Sequence, residues 1–299
     1  MNAAKIVVSI LLAGSALWCD LADIATLNAR GMSLGGAVTT LGADGNAVCG
    51  NPALLSVLAF PSVDASSGLG DNGFENEAIF NANAHAVLPF VWGGLGAGFS
   101  GEFNTIASEG KSGLLFGDYR FRLAAGFRTP IKMLQVGVGL SLRLVSIDAT
   151  LAEGLSVKPP PEFNADLGFF SSPVRYLAAG LVFSDLLGIF GNAKTDARRP
   201  PSLRLGLGTR NPIFLGELCL EYLPTESSLG LALGLEKWFF SERLRLSLGA
   251  KLSGAFADFT PSAGVGMRLG RFTADYAFSY PVGGSVRSGD HRFTLSAAL

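Results

Sequence analysis

The sequence predicts an all-β fold: a transmembrane antiparallel up-and-down β-barrel of about fourteen strands. Three observations point there. The chain is apolar and short of charge. Of its 299 residues, 48% are hydrophobic and only 16% charged, where a soluble domain carries roughly a quarter charged residues. Mean hydropathy is +0.38. The chain is also glycine-rich, with Gly 39 and Phe 22 against Met 4, a balance that favours sheet over helix. Beyond the N-terminus there is no run of about eighteen apolar residues, which excludes an ordinary helical membrane protein. An apolar chain that does not cross the bilayer as helices satisfies its backbone there as a closed barrel. The net charge of −1 offers no basic surface for nucleic acid.

The N-terminus comes first. Lys5 precedes an apolar stretch from Ile6 to Trp18. Such a stretch is too short to span a bilayer but suits a signal-peptide core. Cleavage after Ala16 or Cys19 fits. Trp18 stands where a lipoprotein site wants a small residue, which disfavours acylation of Cys19. Cys49 and Cys219 then remain, with His85 and His291 the only histidines. No CxxC motif or Cys/His cluster occurs in the sequence, so neither a metal site nor a cofactor is expected.

From about Asp20 to Leu58 the chain lacks alternation and is rich in Gly, Ala and Asn, as a small helix and tight turns would be. From about Phe60 onward the pattern has period two, which places successive side chains on opposite faces. Leu203, Leu205 and Leu207 alternate with Arg204, Gly206 and Gly208, and Leu229 to Leu235 with Gly230 to Glu236. Tyr119 to Phe127 alternate with Arg120, Arg122, Ala124, Gly126 and Arg128. One face is almost unbroken Leu, Phe, Val and Ala, as lipid requires. The other is glycine, alanine and serine with isolated charges, as the crowded lumen of a narrow or plugged barrel requires.

The strand centres fall near Val63, Ala82, Ala97, Leu123, Leu140, Leu167, Leu181, Leu205, Leu218, Leu231, Leu246, Val265, Tyr276 and Leu295. The longest gaps, Asn104–Leu115, Thr150–Glu162 and Leu186–Pro201, are expected to be extracellular loops. Pro159-Pro160-Pro161 and Pro200-Pro201 fall inside two of them.

No catalytic motif emerges. Gly96-Ala97-Gly98-Phe99-Ser100-Gly101 matches GxGxxG, but strand-like residues follow where a dinucleotide site needs a helix. There is no GxxxxGK[ST] phosphate loop and no GxSxG elbow. His85 shares the inward face of its strand with Asn81 and Asn83 and is expected to hydrogen-bond a neighbour rather than serve catalysis. No enzyme activity is expected.

By parity the inward charges are Glu102, Arg120, Arg122, Arg143, Asp166, Arg204, Glu217, Glu221, Glu236, Arg245, Lys251, Arg268 and Asp275. Opposite charges on adjacent strands are expected to pair and hold an inner segment in register. The alternative is a polar path, or an arginine that grips a carboxylate. Substitution of Leu205 by Arg is expected to be costly, and Gly206→Ser mild unless the lumen is tightly packed there.

Both chain ends resemble a known family. Ala29-Arg30-Gly31-Met32-Ser33-Leu34-Gly35-Gly36-Ala37, the acidic turn at Asp44, and Asn51-Pro52-Ala53 resemble the opening of PorV/PorQ-type outer-membrane proteins. These are relatives of the long-chain fatty acid transporter (FadL) family. Asp275-Tyr276-Ala277-Phe278 and Gly289-Asp290-His291-Arg292 are similar to that family's last hairpin. Leu54 stands where the family usually has Gly, Cys49-Gly50 where an aromatic is common, and Leu299 where the terminal residue is aromatic.

The resemblance implies a fourteen-stranded barrel of the bacterial outer membrane, with an N-terminal hatch inside. A polar, glycine-rich segment ahead of the strands is itself a natural plug. The expected division is 1–19 signal peptide, 20–58 hatch and 59–299 barrel. The implied function is a FadL-like channel or transporter for hydrophobic small molecules such as fatty acids. The alternatives are a PorV-like accessory barrel of type IX secretion, binding exported protein domains, or a structural, porin-like barrel. The tripeptide Asn51-Pro52-Ala53 is expected to set the path by which the hatch leaves the lumen. Pro52 fixes φ and removes a donor, and the Asn51 side chain caps a local backbone group.

Overall fold

The computed structural model describes residues 26–70, 77–108, 111–131, 133–149, 155–157, 160–189, 201–211, 213–224, 227–253, 258–282 and 289–299. The expected signal peptide, 1–19, lies outside the described residues.

Among the described residues fifteen strands follow one another. They are β1 (Ser62–Gly70), β2 (Glu77–Phe90), β3 (Gly93–Ser108), β4 (Lys111–Arg128), β5 (Leu134–Ala149), β6 (Leu155–Val157), β7 (Glu162–Val174) and β8 (Leu177–Ser184). Then come β9 (Ser202–Arg210), β10 (Leu215–Leu223), β11 (Ser228–Phe239), β12 (Leu244–Ser253), β13 (Asp258–Leu269), β14 (Phe272–Ser279) and β15 (Asp290–Ala298). Each pairs antiparallel with its neighbours in sequence, apart from the three-residue β6, which adds to the end of β5 while β5 itself pairs with β7. β15 pairs with β1, from Ser62 opposite Ala298 to Leu69 opposite His291, and this closes the sheet. Without β6 the wall is a closed barrel of fourteen strands, and each expected strand centre falls on a different one.

The register shows why the second face is small. Leu218 stands between Leu207 and Leu233, Leu246 opposite Val265, and Val265 opposite Tyr276. This apolar row faces out: Leu205 is 43% exposed, Leu140 61% and Leu248 62%. Along the other row Gly208 stands opposite Glu217, Glu217 opposite Gly234, and Gly234 opposite Gly249. A one-residue slip would move every leucine to the wrong face, so the two-face contrast fixes the register.

Residues 26–58 supply what the inward row packs against. They contain a five-residue helix, α1 (Ala29–Ser33), and two 3-10 turns, Gly45–Val48 and Pro52–Val57. Asn28 caps α1 by accepting from the Gly31 amide at 3.1 Å, and Asp44 and Asn51 cap the two turns in the same way. α1 packs on β12 to β15, the first turn on β1 to β4, and the second on β2 to β5 and β7. Between them Thr39 and Thr40 meet β8 and β9 at Gly180, Gly206 and Gly208. The backbones approach so closely that glycine is required. A Cβ on Gly137 would collide with the Pro52 and Ala53 backbone, and one on Gly249 with Leu34 and Gly35.

The structure corrects one expected loop. Asn104–Leu115 belongs to a hairpin. β3 runs on to Ser108 and β4 starts at Lys111, with a register shift between Asn104 and Thr105. The eighteen residues of β4 extend about 60 Å at roughly 3.3 Å each, well past the nine to eleven or so that cross a bilayer. Alternation is weak in this Ser- and Gly-containing stretch, but β3 and β4 pair with each other through it, from Thr105 opposite Leu114 to Ser108 opposite Lys111. Within Thr150–Glu162, β6 pairs with β5, and Glu162 opens β7. Within Leu186–Pro201, Leu186–Ile189 is one further 3-10 turn, and the residues from 190 to 200 lie outside the described set.

Candidate functional site

The candidate site is the lumen, where residues 26–58 meet inward side chains of nearly every strand. Two kinds of contact hold them. The α1 side is ionic. Arg30 bonds Asp44 and Glu236, each at 2.7 Å, and Glu236 also faces Arg245, which reaches Asp275. Burial works against the Arg30 charge, but Glu236 and Asp44 hold the guanidinium above its ordinary value. Burial likewise pushes the Asp44 carboxyl up, and Arg30 more than reverses this, holding it below the usual carboxylate range. Arg292, fully buried, donates to the Leu27 carbonyl at 2.6 Å, and Ser247 to Ser33 at 2.6 Å.

The opposite side is apolar. Leu54, Leu55, Val48 and Ala53 form one buried cluster with Val87, Ala124, Phe170 and Ala178 of the wall. Asn51 sits at its edge and is fully buried. Its Oδ1 accepts from the Ala53 amide at 3.1 Å, and its Nδ2 donates to the carbonyls of Thr39 and Phe169 at 2.9 and 3.1 Å. Pro52 and Ala53 press on Gly137, and Pro52 also on Gly168. The chain passes from lumen to wall farther on, between Leu58, which is buried, and Phe60, which is exposed. Asn51-Pro52-Ala53 therefore seats the segment on β5 and β7, several residues before the chain joins the wall.

Glu217 joins the two sides. Its carboxylate accepts backbone N–H bonds from Thr39, Thr40 and Leu41 at 2.8 to 2.9 Å. A carboxylate that collects several amides fixes a tight bend without needing a cation.

The remaining inward charges pair within the wall or line cavities. Arg120 and Arg143 both bond Asp118, and Arg143 also reaches Glu162 at 3.3 Å. Lys251 lies 3.5 Å from Glu221. Arg204 donates to the Gly50 carbonyl at 3.0 Å. The Asp185 amide donates to Asp166 at 2.9 Å. Glu102, on β3, is half-buried. Arg268 stands apart. It sits at the exposed end of β13, pairs with Glu242 in the turn after β11, and lies over the Trp238 ring.

Sequence reasoning missed Asp64, Asp118, Glu162 and Arg292. Parity alone would have found Asp118, which shares the face of Arg120, and Arg292, which alternates with Phe293. It also missed that the fold brings Cys49, His85 and Asp64 together. His85 Nδ1 lies 2.8 Å from Asp64 Oδ1, and its Nε2 lies 3.3 Å from Cys49 Sγ. Among the described residues no group of three His, Cys, Asp or Glu is arranged to hold a metal ion. Gly96 and Gly98 of the GxGxxG match lie mid-strand in β3, packed against Val48, Leu55 and His85. No helix follows them, so they form no nucleotide cradle.

Small recesses remain between segment and wall. One, of about 20 Å³, is bordered by Cys49, four arginines and two aspartates. Another, of about 30 Å³, lies among Leu27, Gly35, Arg204, Cys219 and Lys251.

No protein-family model and no curated protein sequence matches the chain. Solved structures do. The fold is similar to that of the toluene transporter TbuX of Ralstonia pickettii, at TM-score 0.68 and 12% identity over 92% of this chain and 99% of that one. It is similar to the Pseudomonas putida toluene transporter TodX at TM-score 0.68 and 10% identity, over 92% and 99% of the two chains. A Pseudomonas aeruginosa FadL homologue matches at TM-score 0.64 and 13% identity, over 91% and 98%. This chain therefore has the barrel fold of those transporters.

Proposed function

We propose that the protein is a bacterial outer-membrane channel for hydrophobic small molecules, with residues 20–58 as a hatch inside the barrel. The observation that carries this reading is the pairing of an apolar outer face with a lumen filled by the N-terminal segment, in a fold shared with hydrocarbon transporters. A belt of exposed leucines and phenylalanines this extensive has no place in water. Movement of the hatch opens the route, because every strand that it touches is packed closely around it. The resemblance of both chain ends to PorV/PorQ-type proteins motivates the reading as a secretion accessory. No observation among the described residues favours that reading over a channel.

Reconstitution tests it. Liposomes holding the folded barrel should take up a labelled long-chain fatty acid or toluene faster than empty liposomes. Uptake no faster than in empty liposomes ends the channel reading. The membrane assignment is tested separately. The protein should fractionate with the outer membrane and migrate faster on unheated detergent gels. Leu205→Arg should cost about 2–4 kcal/mol if the residue lies near the midplane.

A further inference from the structure

The outward leucine row of β11 ends on a cation. Leu229, Leu231, Leu233 and Leu235 are followed on the same face by Lys237, which is exposed and stands opposite Leu246 of β12. Hydrocarbon offers an ammonium no partner. This one lies 5.1 Å over the ring of Phe239, the next outward residue and the last of the strand. The lysine stem covers apolar wall while its charge bends to the turn end, as happens at the edge of a bilayer. Phe239 therefore marks headgroup depth. Two neighbouring turns continue that level. The β11–β12 turn carries Arg243 and the β13–β14 turn carries Arg271, both exposed. The Arg268 amide donates to the Arg243 carbonyl at 2.8 Å and ties the two turns together. Glu242 is the only acidic side chain in these turns, and Arg268 takes it up at 3.1 Å. Among the described residues no carboxylate side chain pairs with Lys237, Arg243 or Arg271.

Large apolar side chains share these turns with the cations. Phe240 is 75% exposed, Phe272 65% and Leu269 63%. Phe240, Ser241 and Glu242 hold φ of 52°, 54° and 64°, a left-handed run that is costly for L-residues. The Arg243 amide closes it on the Phe239 carbonyl at 3.1 Å. Strain held in this way, with Phe240 at the tip beside Arg243, points to a function for the turn. An acidic protein arriving from the aqueous side would cover the tips but not Lys237, which stands on the lipid-facing wall. Cations and aromatics interleaved at one depth suit the boundary between acyl chains and anionic headgroups. We infer that the turn end of β11 to β14 is a binding site for anionic phospholipid. The lipid phosphate sits among Lys237, Arg243 and Arg271, and Phe240 and Phe272 rest against the acyl chains. The inference rests on the membrane placement of the barrel and not on what the channel carries.

The test uses the full-length barrel folded in detergent, with fold monitored by unheated gel migration. Native mass spectrometry in an equal mixture of phosphatidylglycerol and phosphatidylcholine counts the lipids that stay bound. Phosphatidylglycerol should be retained roughly tenfold over phosphatidylcholine, and the preference should shrink as salt rises. Lys237→Gln, Arg243→Gln and Arg271→Gln combined should erase it. Arg175→Gln, in the β7–β8 turn, should leave it in place. Excess inorganic phosphate should not displace the lipid, because the apolar tips hold it as well. The inference is overturned if the folded barrel retains both lipids equally, or if Arg175→Gln lowers the preference as much as the triple variant. It is equally overturned if phosphate displaces the lipid, or if a second copy of the chain is retained in its place. Should the triple variant not fold, the parent's preference and its salt dependence still decide the matter. A parent that forms no heat-modifiable barrel removes the membrane placement and this site with it, whereas a folded barrel without the preference removes the site alone.

Discussion

The two halves of residues 26–58 occupy the same lumen by opposite means. The half around α1 is held by charge and hydrogen bonds: Arg30 between Asp44 and Glu236, Arg292 on the Leu27 carbonyl, Ser33 against Ser247 and Ser262. The half around Pro52–Val57 is held by a buried apolar cluster, packed on β2 to β5 and β7. The ionic half is built of interactions that have an alternative in water. The apolar half loses its driving force if it leaves. If the segment moves as a hatch, the difference says that the α1 half moves and the Pro52 half is the anchor.

The largest expected effect comes from separating the halves. Removing Asp20–Val48 should leave a folded barrel, with the anchor in place and raised permeability to small polar solutes in liposome swelling. A barrel as tight as the parent would show that the α1 half does not occlude the lumen. Next, Glu236→Ala strips the acid that stands between Arg30 and Arg245. Leaving buried cations without it should cost about 3–5 kcal/mol in denaturant unfolding. It should also raise hydrogen exchange in α1 before the Pro52 turn. Leu55→Ala tests the anchor. Leu55 is wholly buried, so the cavity should cost about 2–5 kcal/mol and loosen both halves together. If Glu236→Ala loosened the Pro52 turn as much as α1, the two halves would be one unit.

The smallest effect probes the point between the halves. A Cβ on Gly206 would sit 2.7 Å from Thr39 Cβ and 2.6 Å from Glu217 Oε1. Gly206→Ser should therefore cost roughly 1–3 kcal/mol by overpacking, in place of the mild effect that an empty lumen would give. Gly70, whose added Cβ would be 3.8 Å from its nearest neighbours, supplies the control. Gly70→Ser should lie within about 0.5 kcal/mol of the parent.

The barrel was legible in the sequence because its signal is local. Strand neighbours alternate between lipid and lumen, and a leucine row against a glycine row reads directly as two faces. That contrast was enough to place a centre on each strand of the wall and to count fourteen. It did not reveal that Asn104–Leu115 is a hairpin, because there β3 and β4 are held by pairing with each other rather than marked by the residues' own alternation. Nor did it show which inward charges meet. Arg30 and Glu236 are 206 positions apart and Thr39 and Glu217 are 178, and no periodicity spans such distances. Only the closed wall, wrapped around residues 26–58, brings Cys49, Asp64 and His85 into one relay and sets Gly137 and Gly249 against another stretch of backbone. Parity assigns a side chain to a face. Its partner across the lumen is settled by barrel closure, which joins strands from opposite ends of the chain.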